Sequence, residues 1–270
     1  MGDIRGRVLI VAGSDSSGGA GIQADIKTVT ALGGYAATAV TALTAQNTEG
    51  VAEIRPVDTD FVAYQMRLVL DDIGADCIKL GMLYSAETIA AVCDVVEEAG
   101  QGVPLVVDPV MAAKDGHLLL EEAALGVLKQ RLIPLATMFM PNIPEAETLV
   151  GMTLRDVDHM RHAAGILITL GARVVMLKGG HMGGDVLTDL LCWEGGEEVF
   201  EDQRVDRDDT HGTGCTLASA VAAGLAQGME VHDAVVRARN YLREAIRTAP
   251  GLGHGRGPLN HLHNIPYYTG

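Results

Sequence analysis

From Val8 to Thr248 the sequence alternates short apolar or β-branched runs with segments of helical period, and Gly, Pro, Asp or Asn marks the junctions. That rhythm constrains the chain to βαβ units, because consecutive parallel strands need a crossover long enough to hold a helix. The pattern predicts strands over Val8–Ala12, Tyr35–Leu43, Val51–Ile54, Cys77–Leu80, Leu105–Val107, Thr137–Met140, Val174–Leu177, Val186–Leu191 and Val199–Val205. Helices are predicted over Gln23–Leu32, on a stripe of Phe61, Tyr64, Leu68 and Val69, and from an N-cap at Ser85 to about Ala99. Another ends near Gly171, and two more cover about Thr216–Ala226 and Val231–Thr248. No helix separates Tyr35–Leu43 from Val51–Ile54, so those two strands are free to form an antiparallel flap or edge.

Composition agrees with that class. Hydrophobic residues are 48% of the chain but aromatics only 4%, and there are 33 glycines. The interior is therefore aliphatic with tight turns, as in a parallel sheet wrapped by helices. No repeat, low-complexity tract or linker breaks the 270 residues, which read as a single domain, 1–270. The formal charge of −15 repels nucleic-acid backbones and anionic membranes, although a local basic pocket can still hold one small anion. Cys77, Cys93, Cys192 and Cys215 form no CxxC pair, which suits a reducing cytoplasm. The apolar run after Arg7 is only about five residues, too short for a secretory segment or a membrane span. These features predict a cytoplasmic protein.

Chemistry is expected where strands end, since ligands of open α/β sheets bind at the carboxyl ends. The loop Gly13–Gly21 has GxxxxG spacing but Gly19-Ala20 where a Walker A site carries Lys-Ser/Thr, and it lacks GxGxxG. Its glycines still allow a ligand close to the backbone, with a generic turn as the competing reading. Asp25 follows in the next helix, where it serves either a ligand or the helix dipole. Asp209-Thr210-His211-Gly212-Thr213-Gly214-Cys215 precedes an apolar helix. Open backbone N–H groups at Gly212 and Gly214 together with a helix N-terminus make an anion hole for a phosphoryl group. Cys215 in the first turn is expected to be biased toward thiolate, or else to be a packing residue. Asn142 and Glu145 can orient a hydrated magnesium ion or merely start a helix, and Asp108 is a second candidate carboxylate. Lys178 suits a phosphate as a point charge, or reaches solvent from its strand end. There is no zinc spacing and no GxSxG, and His254, His261 and His263 are too loosely spaced for a metal.

Eight motifs in order resemble a known family. They are Ala12-Gly13-Ser14-Asp15 with Ser17–Asp25, Thr41–Thr48, Lys79–Leu83, Asp108–Met111, Pro141-Asn142 with Glu145-Ala146, Leu177–His181, Asp209–Thr216, and Gly253-His254-Gly255 with Gly257–His261. The chain resembles the hydroxymethylpyrimidine and phosphomethylpyrimidine kinases of thiamine biosynthesis, within the ribokinase-like superfamily. The resemblance implies an α/β three-layer sandwich, with a mostly parallel central sheet, helices on both faces and a small β flap. It implies ATP- and Mg2+-dependent phosphorylation of 4-amino-5-hydroxymethyl-2-methylpyrimidine to its monophosphate and then to the diphosphate. The substrate would lie against Gly13, Asp25, Gln46, Met82 and Val110. Cys215 would stand where most ribokinase-like enzymes carry an aspartate base, with Gly212, Thr213 and Gly214 as the anion hole. Lys178, Asn142 and Thr210 would face the ATP phosphates, and Asp108 and Glu145 would reach magnesium through water. The resemblance also implies a homodimer. Pyridoxal kinase is the alternative activity and a silent pyrimidine sensor a remote one. Ser16, where the family often has Pro, and Ala112–His117 depart from the family pattern.

Overall fold

Successive side chains of a strand point to opposite faces, and β1 (Arg7–Asp15) therefore feeds two cores at once. Val8, Ile10 and Ala12 enter one, while Leu9 and Val11 enter the other. The computed structural model describes residues 4–113, 116–205, 207 and 209–266. Lys114 and Asp115, in the loop that departs from the family pattern, lie outside them.

After β1 come α1 (Gly21–Ala31), β2 (Tyr35–Gln46), β3 (Val51–Pro56), α2 (Thr59–Asp72), β4 (Cys77–Leu80), α3 (Ala86–Ala99) and β5 (Leu105–Val107). Then α4 (Ala124–Val127) runs through a π turn at Leu128–Leu132 into α5 (Ile133–Leu135), followed by β6 (Met138–Phe139), α6 (Ile143–Val150), α7 (Val157–Thr169) and β7 (Val174–Leu177). The chain continues with β8 (Val186–Trp193), β9 (Gly196–Gln203), α8 (Thr213–Ala226) and α9 (Val231–Arg247). One nine-stranded sheet has the order β3-β2-β1-β4-β5-β6-β7-β8-β9. Pairing is parallel from β2 to β7 and antiparallel for β2/β3, β7/β8 and β8/β9. Residues of α1, α8 and α9 cover one face, and residues of α2, α3, α6 and α7 the other. This is the expected three-layer α/β arrangement, and β2/β3 is its antiparallel flap.

Several expectations shift: β2 runs on to Gln46 rather than ending at Leu43, β9 is Gly196–Gln203 rather than Val199–Val205, and three further changes have a clear physical cause. The stripe read on α2 is displaced: Val62, Ala63 and Met66 are buried, whereas Phe61, Tyr64 and Leu68 are more than half exposed. Apolar residues occupy both faces of that helix, and packing chose the side-by-side Val62 and Met66, four apart. β1 runs past Ala12 to Asp15, because a bulge between Ala12 and Ser14 lets Ser14 and Asp15 pair with Leu43 and Thr44. α8 starts at Thr213, not Thr216, because Gly212 takes the left-handed conformation (φ 84°) at the N-cap.

The tail folds back as a brace. His261 is buried, its Nε2 lies 2.9 Å from Thr216 Oγ1, and its carbonyl accepts the Tyr241 hydroxyl at 2.9 Å. Burial, then Lys27 and His263, push its imidazole down to about 4. A histidine held neutral in the fold contributes stability that is complete above the unfolded value near 6.5 and is lost as pH falls toward about 4, worth about 3 kcal/mol. The urea midpoint of the protein is therefore expected to drop between pH 7 and pH 4.5 by more than that of His261→Gln, which does not titrate. Equal drops would remove His261 from the acid response.

Candidate active site

The parallel strands β1, β4, β5 and β7 deliver Asp15, Gly81-Met82, Asp108 and Lys178 to one edge of the sheet. Asn142, after β6, bridges in parallel to Lys178. Opposite them the turn Thr210–Gly212 enters α8. A Cβ placed on Gly214 would meet Asp108 Oδ2 at 3.3 Å and Lys178 Nζ at 3.5 Å. The first turn of α8, a carboxylate and an ammonium thus face each other across the width of one small group. Lys178 donates to Asp108 Oδ1 at 2.5 Å. Burial works against the Lys178 charge, but Asp108 and Glu145 outweigh it and raise the ammonium above its ordinary value.

Cys215 is half-buried in the first turn of α8. Burial pushes its thiol up to about 12, with Lys79 opposing and Asp25 and Asp108 adding to the rise. The expected bias toward thiolate is overturned: two nearby carboxylates and burial outweigh one ammonium and the helix N-terminus.

Met82 and Val110, the apolar walls that the resemblance implies, lie in one small cluster. Met82 is buried in a small cluster with Ala42 and Leu119, and Val110, Ile54 and Tyr84 pack against it. Gly13 lies beneath, since a Cβ there would stand 3.0 Å from Met82 Sδ. Gln46 ends β2 beside them, half-buried. Asp25 is placed differently. It is fully buried in α1, and its oxygens accept Lys79 Nζ at 2.9 Å twice and the Ser219 hydroxyl at 2.6 Å. Burial pushes the carboxyl up, opposed by Lys79 and Ser219; the Lys79 ammonium is in turn held by Asp25 against its own burial. An ion pair with three contacts from two donor groups, Lys79 and Ser219, leaves Asp25 behind the site, supporting it.

Asn142 and Glu145 are taken up locally. Asn142 Oδ1 accepts the Glu145 N–H at 2.9 Å and Glu145 Oε2 accepts the Asn142 N–H at 2.7 Å, a capping box that starts α6. Burial raises the Glu145 carboxyl to about 7, with Lys178 opposing. Among the described residues no group of three or more His, Cys, Asp or Glu could hold a metal ion by itself.

Three contributors were not singled out for the site from the sequence. Lys79 is one, and its signal was a lysine inside the otherwise apolar Cys77–Leu80. Asp15 is another: it is buried, and it accepts Ser17 N and Oγ and Ala20 N, each at 2.8 Å. Burial opposes its charge, but His211, Ser17 and Ala20 prevail and hold it at about 2. His211 is the third, with Nε2 2.8 Å from Asp15 Oδ2 and 3.2 Å from Gln46 Nε2.

Residues 15–260 match the phosphomethylpyrimidine kinase family. A hydroxymethylpyrimidine/phosphomethylpyrimidine kinase of Streptomyces coelicolor is 46% identical over 254 residues, covering 94% of this chain and 93% of that protein. A thiamine biosynthesis bifunctional protein of Geobacter sulfurreducens is 52% identical over 258 residues, covering 96% of this chain but only 52% of that longer protein. Among solved structures, an ADP complex of Bacillus subtilis pyridoxal kinase superposes with a TM-score of 0.88 at 36% identity, covering 96% of this chain and 98% of that one.

Proposed function

Since the chain belongs to the phosphomethylpyrimidine kinase family, we propose that it transfers the γ-phosphoryl group of ATP to the hydroxymethyl group of 4-amino-5-hydroxymethyl-2-methylpyrimidine, and then to the monophosphate, in thiamine biosynthesis. The observation that carries this reading to the site is the convergence of Gly214, Asp108 and Lys178 at the start of α8, beside the apolar cluster of Met82 and Val110.

In this reading Gly212, Thr213 and Gly214 turn backbone N–H groups toward the transferring phosphoryl, with Thr210 at the entry to the turn. Lys178 exchanges part of its contact with Asp108 for a phosphate oxygen. Asn142 keeps its amide N–H2 available to a phosphate, because only its oxygen is used in the cap. A hydrated magnesium ion would be held through water by Asp108, whose Oδ2 is left by the Lys178 contact, with Glu145 behind it, and would supply positive charge to offset that of the phosphates. Gly13, Met82 and Val110 hold the ring, Gln46 reads its polar edge, and Asp25 acts through Lys79.

Phosphoryl transfer passes through a loose transition state in which positioning and charge stabilisation dominate. A thiol held near 12 is neutral throughout the working range, so Cys215 aligns the substrate hydroxyl by hydrogen bonding and does not act as a ready thiolate. Turnover of Cys215→Ala is expected to fall about 100-fold with substrate affinity retained. The kcat of the unaltered protein should show no thiol limb between about pH 6 and about pH 9, whereas a thiolate-dependent rate would climb about tenfold per unit. Such a climb, or full activity of Cys215→Ala, would refute the assignment.

The deciding assay offers the protein ATP, magnesium and either the pyrimidine alcohol or pyridoxal. Pyridoxal phosphorylation is a second reading, favoured by the 0.88 superposition on a pyridoxal kinase. Transfer to pyridoxal with none to the pyrimidine would reverse the order. A single functional domain, a cytoplasmic setting and a homodimer belong to the same proposal. The four free cysteines support the setting, and the apolar residues left outside on α2 support the dimer.

A further inference from the structure

One residue touches all three segments of the site. His211 belongs to the anion-hole turn, contacts Asp15 on the first loop, and contacts Gln46 at the end of the flap. We infer that His211, anchored by Asp15, fixes which way round the Gln46 amide stands and thereby the donor–acceptor edge that the pocket offers its substrate. The inference rests on the kinase reading above and concerns the recognition half of that site.

The argument is a count of protons. A ring nitrogen carries either a hydrogen or a lone pair. Asp15 accepts from Ser17 and Ala20 and stays a carboxylate, so His211 Nε2 at 2.8 Å must be its donor. That N–H cannot also accept from the Gln46 amide nitrogen 3.2 Å away. At the other end of the amide Thr44 Oγ1 has one hydrogen and must share it between the Ser14 carbonyl at 3.0 Å and Gln46 Oε1 at 3.1 Å. Turning the amide by a half rotation exchanges oxygen and nitrogen, which have nearly the same shape, and replaces the donor-on-donor contact at His211 by an attractive one. The His211 N–H is then shared between Asp15 and the Gln46 oxygen as a three-centre bond, and Gln46 nitrogen donates to Thr44, which donates onward to Ser14.

The ring of His211 is packed closely against Gly19, where a Cβ would run into its Cδ2, and its backbone N–H donates to the Gly257 carbonyl at 3.2 Å. So fixed, Gln46 keeps one N–H and one carbonyl lone pair for a ligand. An aminopyrimidine presents the complement, an exocyclic N–H beside a ring-nitrogen acceptor, the pairing by which a glutamine reads adenine. A ring without the amino group loses half of it. His211 is accordingly a positioning residue that sets specificity.

The test is calorimetric titration with 4-amino-5-hydroxymethyl-2-methylpyrimidine and with its des-amino analogue, 5-hydroxymethyl-2-methylpyrimidine, and with ADP as a control. The unaltered protein should prefer the amino compound by about tenfold or more. His211→Phe should lose that preference while ADP affinity changes by less than about threefold, and His211→Gln, whose amide N–H reaches the place of Nε2, should recover most of it. Should His211→Phe fail to fold, Asp15→Ala serves, because it removes the acceptor that anchors the ring and should also erase the preference. Preference retained in His211→Phe or Asp15→Ala, no recovery in His211→Gln, or no preference in the unaltered protein would each overturn the inference. Binding of neither pyrimidine, with ADP still bound, would overturn the kinase reading and this inference with it.

Discussion

Asp25→Ala is expected to destabilise the protein by about 3–5 kcal/mol, because it strands the fully buried Lys79 ammonium without its carboxylate. Urea unfolding would measure it. An effect below about 1 kcal/mol would mean that water or another acceptor reaches Lys79. The pair Asp25→Leu with Lys79→Met separates folding from chemistry. Replacing a buried ion pair by apolar residues is often close to neutral, so stability should return to within about 1 kcal/mol of the unaltered protein. Turnover should not return, since the charge facing Cys215 from beneath the anion hole is gone.

Gly212→Ala is expected to lower kcat by about 100- to 1,000-fold, the usual effect of losing a fixed donor to developing negative charge. The cause is local. At φ 84° a side chain is strained, and a Cβ there would run into the carbonyl of Gly19. The strained φ costs about 1–2 kcal/mol and displacing the Gly19 carbonyl adds to it, so kcat is compared on protein whose folded fraction is fixed by urea unfolding. Pyrimidine affinity, measured without nucleotide, should change far less than kcat. A kcat within about threefold of the unaltered protein would show that the turn tolerates the shift and that its N–H groups are not the anion hole.

Much of the architecture was legible locally. Cys77–Leu80, Leu105–Val107 and Val174–Leu177 were read at the residues where the strands lie, because each is a short apolar run closed by Gly, Asp-Pro or Lys-Gly. Ser85 was read as the N-cap that it is, with its hydroxyl accepting the Thr88 N–H. The phase of α2 was not legible. Phe61, Tyr64 and Leu68 satisfy helical spacing as well as Val62 and Met66 do, and periodicity cannot rank two apolar faces of one helix. Only the neighbouring sheet, where Gln65 bonds both backbone groups of Val40, orients it.

At the site, the division follows the reach of each interaction. The turn Thr210–Cys215 and the capping box of Asn142 with Glu145 are built within a few residues, so their local geometry follows from their spacing. The partners of the charged groups were not. Lys79 meets Asp25 across 54 residues, Lys178 meets Asp108 across 70, and His211 meets Asp15 across 196. What the sequence determined by itself was therefore the class of fold, the central strands β4, β5 and β7 and the glycine turn, all products of local sterics and hydrophobic period. What only the tertiary structure decided was which polar groups are spent on one another and which are left for a ligand. Burial made that decision, because a charge removed from water must find a partner, and the partner comes from wherever the fold brings one.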